Sequence, residues 1–220
     1  MHRRTLLVRA AGVTTAVVAG TAGVTTAVVA GTPDAAAAVE PAARRVMLVG
    51  ANPGVSMFDG DRLTTFASVW DVRWSDYGSG RAIVLWHDDR VRVLATDPRL
   101  GHWLSQYFTR NFPEVSAVTW PEPVVQRAEV VVQLDLAAGL YARARDVTVH
   151  MEGVLHRRTF ATDDFALAGV PHSLSNLFAP MGLARVTAGG RTLPGRVQLG
   201  GTPERPWSSA FIADAEVWRG

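Results

Sequence analysis

From Thr64 to Ser75 the chain alternates. Phe66, Ser68, Trp70, Val72 and Trp74 share one parity, while Asp71, Arg73 and Ser75 share the other. A period of two with an aromatic stripe predicts a half-buried strand. The cluster Asp76-Tyr77-Gly78-Ser79-Gly80 ends it. Ala82–Trp86 and Arg90–Ala95 are two further apolar-rich runs, joined by His87-Asp88-Asp89, which predicts a hairpin. Upstream, Val46–Gly50 is a short apolar run stopped by Asn52-Pro53-Gly54, a turn cluster.

The period then changes. Leu100, Trp103, Leu104, Tyr107, Phe108 and Phe112 recur at helical spacing behind Asp97-Pro98. Asp is suited to the N-cap and Pro to the first helical position, so the spacing predicts one amphipathic helix over about 97–112, packed on a sheet through its apolar stripe. Thr119–Pro123 reads as a Pro-rich connection and a possible internal seam, at 119–124. Beyond it, strands are predicted at Glu129–Leu136, Asp146–Glu152, Val154–Phe160, Leu183–Thr187, Thr192–Leu199 and Ala210–Trp218, with Gly189-Gly190 as a two-residue hairpin turn. Many short strands and one helix make the expected fold mainly β, an antiparallel barrel-like or sandwich sheet with the helix packed on it.

The N-terminus follows neither period. Residues Ala11–Thr32 are one phrase of 11 residues, AGVTTAVVAGT, written twice, behind MHRRTLLVR and ahead of TPDAAAAVE. A basic start, an uncharged apolar run and a small-residue A-x-A site at Ala36–Ala38 are the three parts of an export signal. Arg3-Arg4 followed by Thr5-Leu6-Leu7 resembles bacterial twin-arginine signals. The resemblance covers the leader alone, and the general secretory route is the alternative. The apolar run is near membrane-spanning length, but Ala, Gly, Val and Thr contribute little to insertion. The expectation is therefore a leader at 1–38, a linker at 39–45 and a globular domain at 46–220, with an uncleaved leader as the one route to a membrane.

Composition narrows the chemistry. All 22 basic residues are Arg, which excludes Schiff-base lysine chemistry, and the Cys count of 0 excludes thiolate nucleophiles and disulfides. The +2 net charge lies in the leader, because residues 39–220 hold 19 Arg against 19 Asp and Glu. No basic stripe is left to follow a nucleic acid. The loop LVGANPG resembles the glycine-asparagine-proline-glycine loop of uracil-DNA glycosylases over these residues alone. That family's later histidine motif is not present, so its activity is not carried over.

Candidate chemistry is a matter of constellations. In VTVHMEGVLHRR, Thr148, His150 and Glu152 share a strand face opposite Val147, Val149 and Met151, and His156 follows Gly153. A His beside a carboxylate is the pairing used for general acid/base catalysis. Asp135, beside Gln133 on the polar side of the preceding strand, is a candidate to join His150, Glu152 and His156 as catalytic residues. The same His and Glu side chains are conceivable ligands for a divalent metal, loosely in the manner of cupin barrels, but no metal site is assigned and the cofactor is left unknown. His87-Asp88-Asp89 and His172-Ser173 are lesser candidates, on a turn and in an expected loop. Among the 7 Trp, Trp70, Trp74 and Trp207 are the candidates to line a ligand pocket. The function expected is an exported β-barrel-like protein that binds a small apolar or carbohydrate ligand. An acid/base hydrolase, isomerase or cyclase is the second reading, and a structural envelope protein the third. The partner expected is a small molecule and not nucleic acid.

Overall fold

The computed structural model describes residues 44–219, which lie in one compact unit. The leader expectation at 1–38 lies outside the described residues. The strands of the first half are β1 (Arg45–Ala51), β2 (Gly54–Asp59), β3 (Arg62–Ser75), β4 (Gly80–His87) and β5 (Arg90–Ala95). Helix α1 (Pro98–Trp103) follows, continued by a π-helical turn at Leu104–Phe108 and 3-10 turns at Thr109–Asn111 and Pro113–Val115. The second half holds β6 (Val124–Arg127), β7 (Val130–Asp135), β8 (Gly139–Ala144), β9 (Val147–Val154), β10 (Arg158–Leu167), β11 (Val170–Ala188) and β12 (Arg191–Thr192). β13 (Leu199–Gly201), β14 (Pro206–Ser208) and β15 (Ala210–Arg219) complete it. Among the described residues no helix is long and apolar enough to cross a membrane.

The fold is mainly β, as the hydrophobic pattern predicts. One large sheet runs β6-β5-β4-β3-β1-β15-β11-β9-β8-β7. It is mixed rather than wholly antiparallel, because β6 lies parallel to β5. The 124–135 stretch pairs with β5 through β6 and with β8 through β7, so the sheet curls back towards its own beginning. The inner core lies within that curl. Val69, Ile83 and Leu85 from β3 and β4 meet Val132, Ala142, Val149 and Met151 from β7, β8 and β9. Arg92 of β5 holds Asp146, in the β8–β9 turn, through Nη2–Oδ1 at 2.7 Å and Nη1–Oδ2 at 3.1 Å. Those hydrogen bonds from Arg92 hold the Asp146 carboxyl at about 2, below its usual value.

β3 differs from its expected form. Ala67 and Val69 enter the inner core, while Phe66, Trp70 and Val72 enter a second core on the opposite face. The strand is therefore buried on both sides over its middle, and the helical segment covers the second side through Leu100, Leu104 and Phe108. Two β layers and a helical layer result, a common way for a domain to bury one face of each element.

The expected hairpins form where turn chemistry demands them. Asp88 and Asp89 take φ of 49° and 52°, and Gly189 and Gly190 take 58° and 75°, as a two-residue turn with both φ positive requires. The expected strand at Thr192–Leu199 reduces to Arg191–Thr192, with Leu193 buried beyond it. β11, by contrast, starts well before Leu183, and His172-Ser173 therefore lie on a strand rather than in a loop.

Candidate functional site

Helix α1 begins as its sequence dictates. Asp97 Oδ1 accepts from the Arg99 backbone N–H at 2.8 Å, and Pro98 fills the first turn where no N–H is needed. Gly101 lets the helix lie close on β5, since a Cβ there would stand 2.6 Å from the Ala95 Cβ. The turn then widens, and the Thr109 backbone N–H reaches the Leu104 carbonyl. Such π turns are often found at functional sites.

On the outer side of this segment is an open cleft of about 610 Å³, within the size range of small-molecule sites. Its aromatic wall is a ladder of three rings. Tyr77 stacks on Trp103 at 4.7 Å with 21° between planes, and Trp103 continues to Tyr107 at 6.0 Å and 14°. Phe108 supports Trp103 edge-on from beneath at 5.1 Å. Tyr77 is 53% exposed, so part of its ring is open to solvent. Pro98 and Val125 extend the apolar lining.

The polar groups of the cleft are chiefly donors. Arg99, His102 and Gln106 line it, and the His102 ring meets Glu122 Oε1 at 3.4 Å. Gln106 Oε1 accepts from Arg110 at 3.3 Å, which turns Nε2 the other way. That Nε2 is buried and has no hydrogen-bond partner, and a buried donor without an acceptor is costly.

At the far end of the ladder, Tyr107 joins the sheet. Its hydroxyl lies 3.4 Å from His172 Nε2 and accepts from Arg219 Nη2 at 3.4 Å. His172 is buried on β11, and its Nδ1 faces the Val170 carbonyl at 2.8 Å. A carbonyl only accepts, so Nδ1 carries the proton and Nε2 presents a lone pair to the phenol. The Tyr107 hydroxyl thus lies between an imidazole nitrogen and a guanidinium.

The residues singled out in the sequence are placed elsewhere. His150 and Glu152 do share a face of β9, but it is the exposed one, and Val147, Val149 and Met151 fill the core. Across that face His150 stands between Tyr141 and Arg185 in register. Asp135 and Glu152 are separated by β8, with Gly139 opposite each. Asp135 Oδ1 caps its own turn, accepting from Ala137 N–H at 2.7 Å. His156 is exposed between β9 and β10. Among the described residues no group of three His, Cys, Asp or Glu is arranged to hold a metal.

Trp70 is 2% exposed and packs between Phe108 and Phe112. Trp74 and Trp207 are exposed on β3 and β14, and neither lines the cleft. His87, Asp88 and Asp89 occupy the β4–β5 turn, where His87 Nδ1 meets the Thr64 carbonyl at 3.0 Å. In the LVGANPG loop, Asn52 is used structurally: its Nδ2 donates to Ser68 Oγ at 2.8 Å and to the Val69 carbonyl at 3.1 Å.

Sequence reading assigns Trp103 and Tyr107 to the packing stripe of the helix and passes over Tyr77, Gln106 and His102. For the helical residues the signal was the outward face at positions 99, 102, 103, 106 and 107, a spacing of three and four, while Tyr77, in a turn, carried none. No protein-family model matches the chain, and no curated protein and no solved structure matches it.

Proposed function

We propose that this is an exported protein that binds a small carbohydrate in the cleft along α1. The observation that carries the reading is the pairing of a three-ring wall with the exposed polar side chains of Arg99 and His102 in the same cleft. Sugars offer both counterparts, a C–H face that lies on an aromatic ring and hydroxyls that accept from Arg99 and His102. The test is saturation-transfer NMR with a panel of hexoses and disaccharides beside small apolar aromatics. Tyr77→Ala and Arg99→Ala are each expected to weaken sugar binding by about 5- to 50-fold, on the order of one or two anchor contacts. Binding of the apolar probes alone would replace the carbohydrate by an apolar ligand. Sugar binding that neither variant changes would remove the cleft from the account.

The Tyr107–His172 contact favours a second reading, in which the cleft catalyses acid/base chemistry on the bound molecule. Tyr107, whose hydroxyl lies between His172 Nε2 and Arg219, would relay a proton between the bound molecule and His172. Tyr107→Phe keeps the ring and so separates the readings: binding persists in both, but turnover of a bound sugar, followed by NMR, disappears only in the second.

Residues 1–38 serve, in this proposal, as the export leader. In a bacterial host, a reporter fused behind them is expected outside the cytoplasm, and Arg3→Lys with Arg4→Lys is expected to retain it. A reporter exported equally well by both forms would assign the leader to the general route for unfolded chains.

A further inference from the structure

β10 is an edge. It pairs with β11 from Arg158↔Phe178 to Leu167↔Val170, and among the described residues no strand pairs with its other side. Its 10 residues are mostly exposed on both faces, unlike β3 or β4, and Phe160 is 43% exposed. A free strand edge is a template for another strand unless something blocks it.

The sequence of this edge is ordered in a particular way. Arg157-Arg158-Thr159-Phe160-Ala161-Thr162-Asp163-Asp164 reads as two cations, Thr, a small apolar centre, Thr and two anions. Turned end for end, the order of residue types is kept and the sign of charge is reversed. An antiparallel copy of the same strand therefore meets opposite charge at both ends. A two-fold pairing centred on Phe160 sets the two Phe160 rings facing each other and brings His156 and Arg157, just ahead of the strand, to the end where the second copy's Asp163 and Asp164 leave the regular ladder. Opposite charges and aromatic pairs across strands are stabilising, and like charges are not.

The aspartates are only lightly engaged within the chain. The β10–β11 register shifts between Thr162 and Phe165, which leaves Asp163 and Asp164 outside the regular ladder. Asp163 meets Arg44 at 3.1 Å with both side chains well exposed, a kind of contact worth little. Arg158 lies over the Phe178 ring at 5.0 Å, and Arg157 is exposed.

We infer that β10 is the contact through which two copies of this chain associate, edge to edge and antiparallel, held by the charge-reversed segment Arg157–Asp164. The dimer is independent of what the cleft binds.

Sedimentation velocity of the full chain over a concentration series tests it, with two charge variants. One carries Arg157→Asp and Arg158→Asp; the other carries Asp163→Arg and Asp164→Arg. Each alone places like charges opposite at both ends, so each is expected to be monomeric where the unmodified chain is a dimer, with at least about a 10-fold weaker association. Mixed in equal amounts, the two variants restore opposite charges throughout, and the dimer is expected to return. Circular dichroism confirms that each variant is folded, and the mixture is itself a control for folding. An unmodified chain that stays monomeric throughout would show the charges to be an edge guard and overturn the inference. So would a dimer that persists in both variants, or a mixture that stays monomeric.

Discussion

Trp70→Ala is expected to lower the free energy of unfolding by about 3–5 kcal/mol, the range for removing a large aromatic from a core. The indole is 2% exposed at the middle of β3. It lies 5.4 Å from the Phe108 ring in an edge contact and 6.1 Å from Phe112 in a stacked one. Truncation leaves a space walled by the underside of the helical segment, and the rings above cannot fill it without moving the turn that carries Trp103 and Tyr107. Trp70→Phe separates volume from polarity. The indole Nε1 has no acceptor, so Phe loses part of the packing but also removes an unmet donor. Its cost is expected to be well under half that of Ala. Trp74→Ala, on an exposed side chain of the same strand, is expected to cost less than about 1 kcal/mol. Urea unfolding followed by circular dichroism ranks the three. A Trp70→Ala protein as stable as Trp74→Ala would mean that the helical layer does not rest on β3 as described.

That ranking also shows where sequence reading stops. The aromatic parity of β3 was legible, and so were the Asp97-Pro98 start of α1 and the two-residue turns at Asp88-Asp89 and Gly189-Gly190, because each is set by a few neighbouring residues. That Trp70 is enclosed while Trp74 is not depends on how far the helical segment reaches over the strand, which no spacing records. β11 was legible only in its second half. Before Leu183 it contains Pro171, Ser173, Ser175, Asn176 and Pro180, which read locally as turns. Partners on both sides, β10 and β15, override that preference. The parity of His150 and Glu152 was legible too, but whether a polar face lines a cavity or meets solvent is decided by the curl of the sheet. The cleft was the least visible. Tyr77 comes from a turn, Trp103 from a helix and His172 from a strand 65 residues beyond Tyr107, so only the folded chain brings them together.

Gly50→Ala tests that curl at its seam, and about 3 kcal/mol of destabilisation is expected, at the upper end of what overpacking costs. β1 lies between β3 and β15 and joins the two halves of the sheet. At Gly50 the register against β3 shifts, and the backbones close in. A Cβ there would stand 2.6 Å from the Asp71 carbonyl oxygen and 2.9 Å from the Val72 Cα. Both are main-chain atoms of the neighbouring strand, so no change of rotamer relieves the clash and β1 must move away from β3. Gly60→Ala is the matched control. Gly60 turns the chain between β2 and β3 with φ of 59° and has nothing within 4 Å of its would-be Cβ, so the substitution costs only left-handed backbone strain, about 1 kcal/mol. Thermal unfolding of the pair distinguishes a steric seam from general glycine preference. Equal losses would show that β1 and β3 have room to separate. A Gly50→Ala protein that loses far more would mark the β1–β3 contact as the place where the two cores are held in one fold.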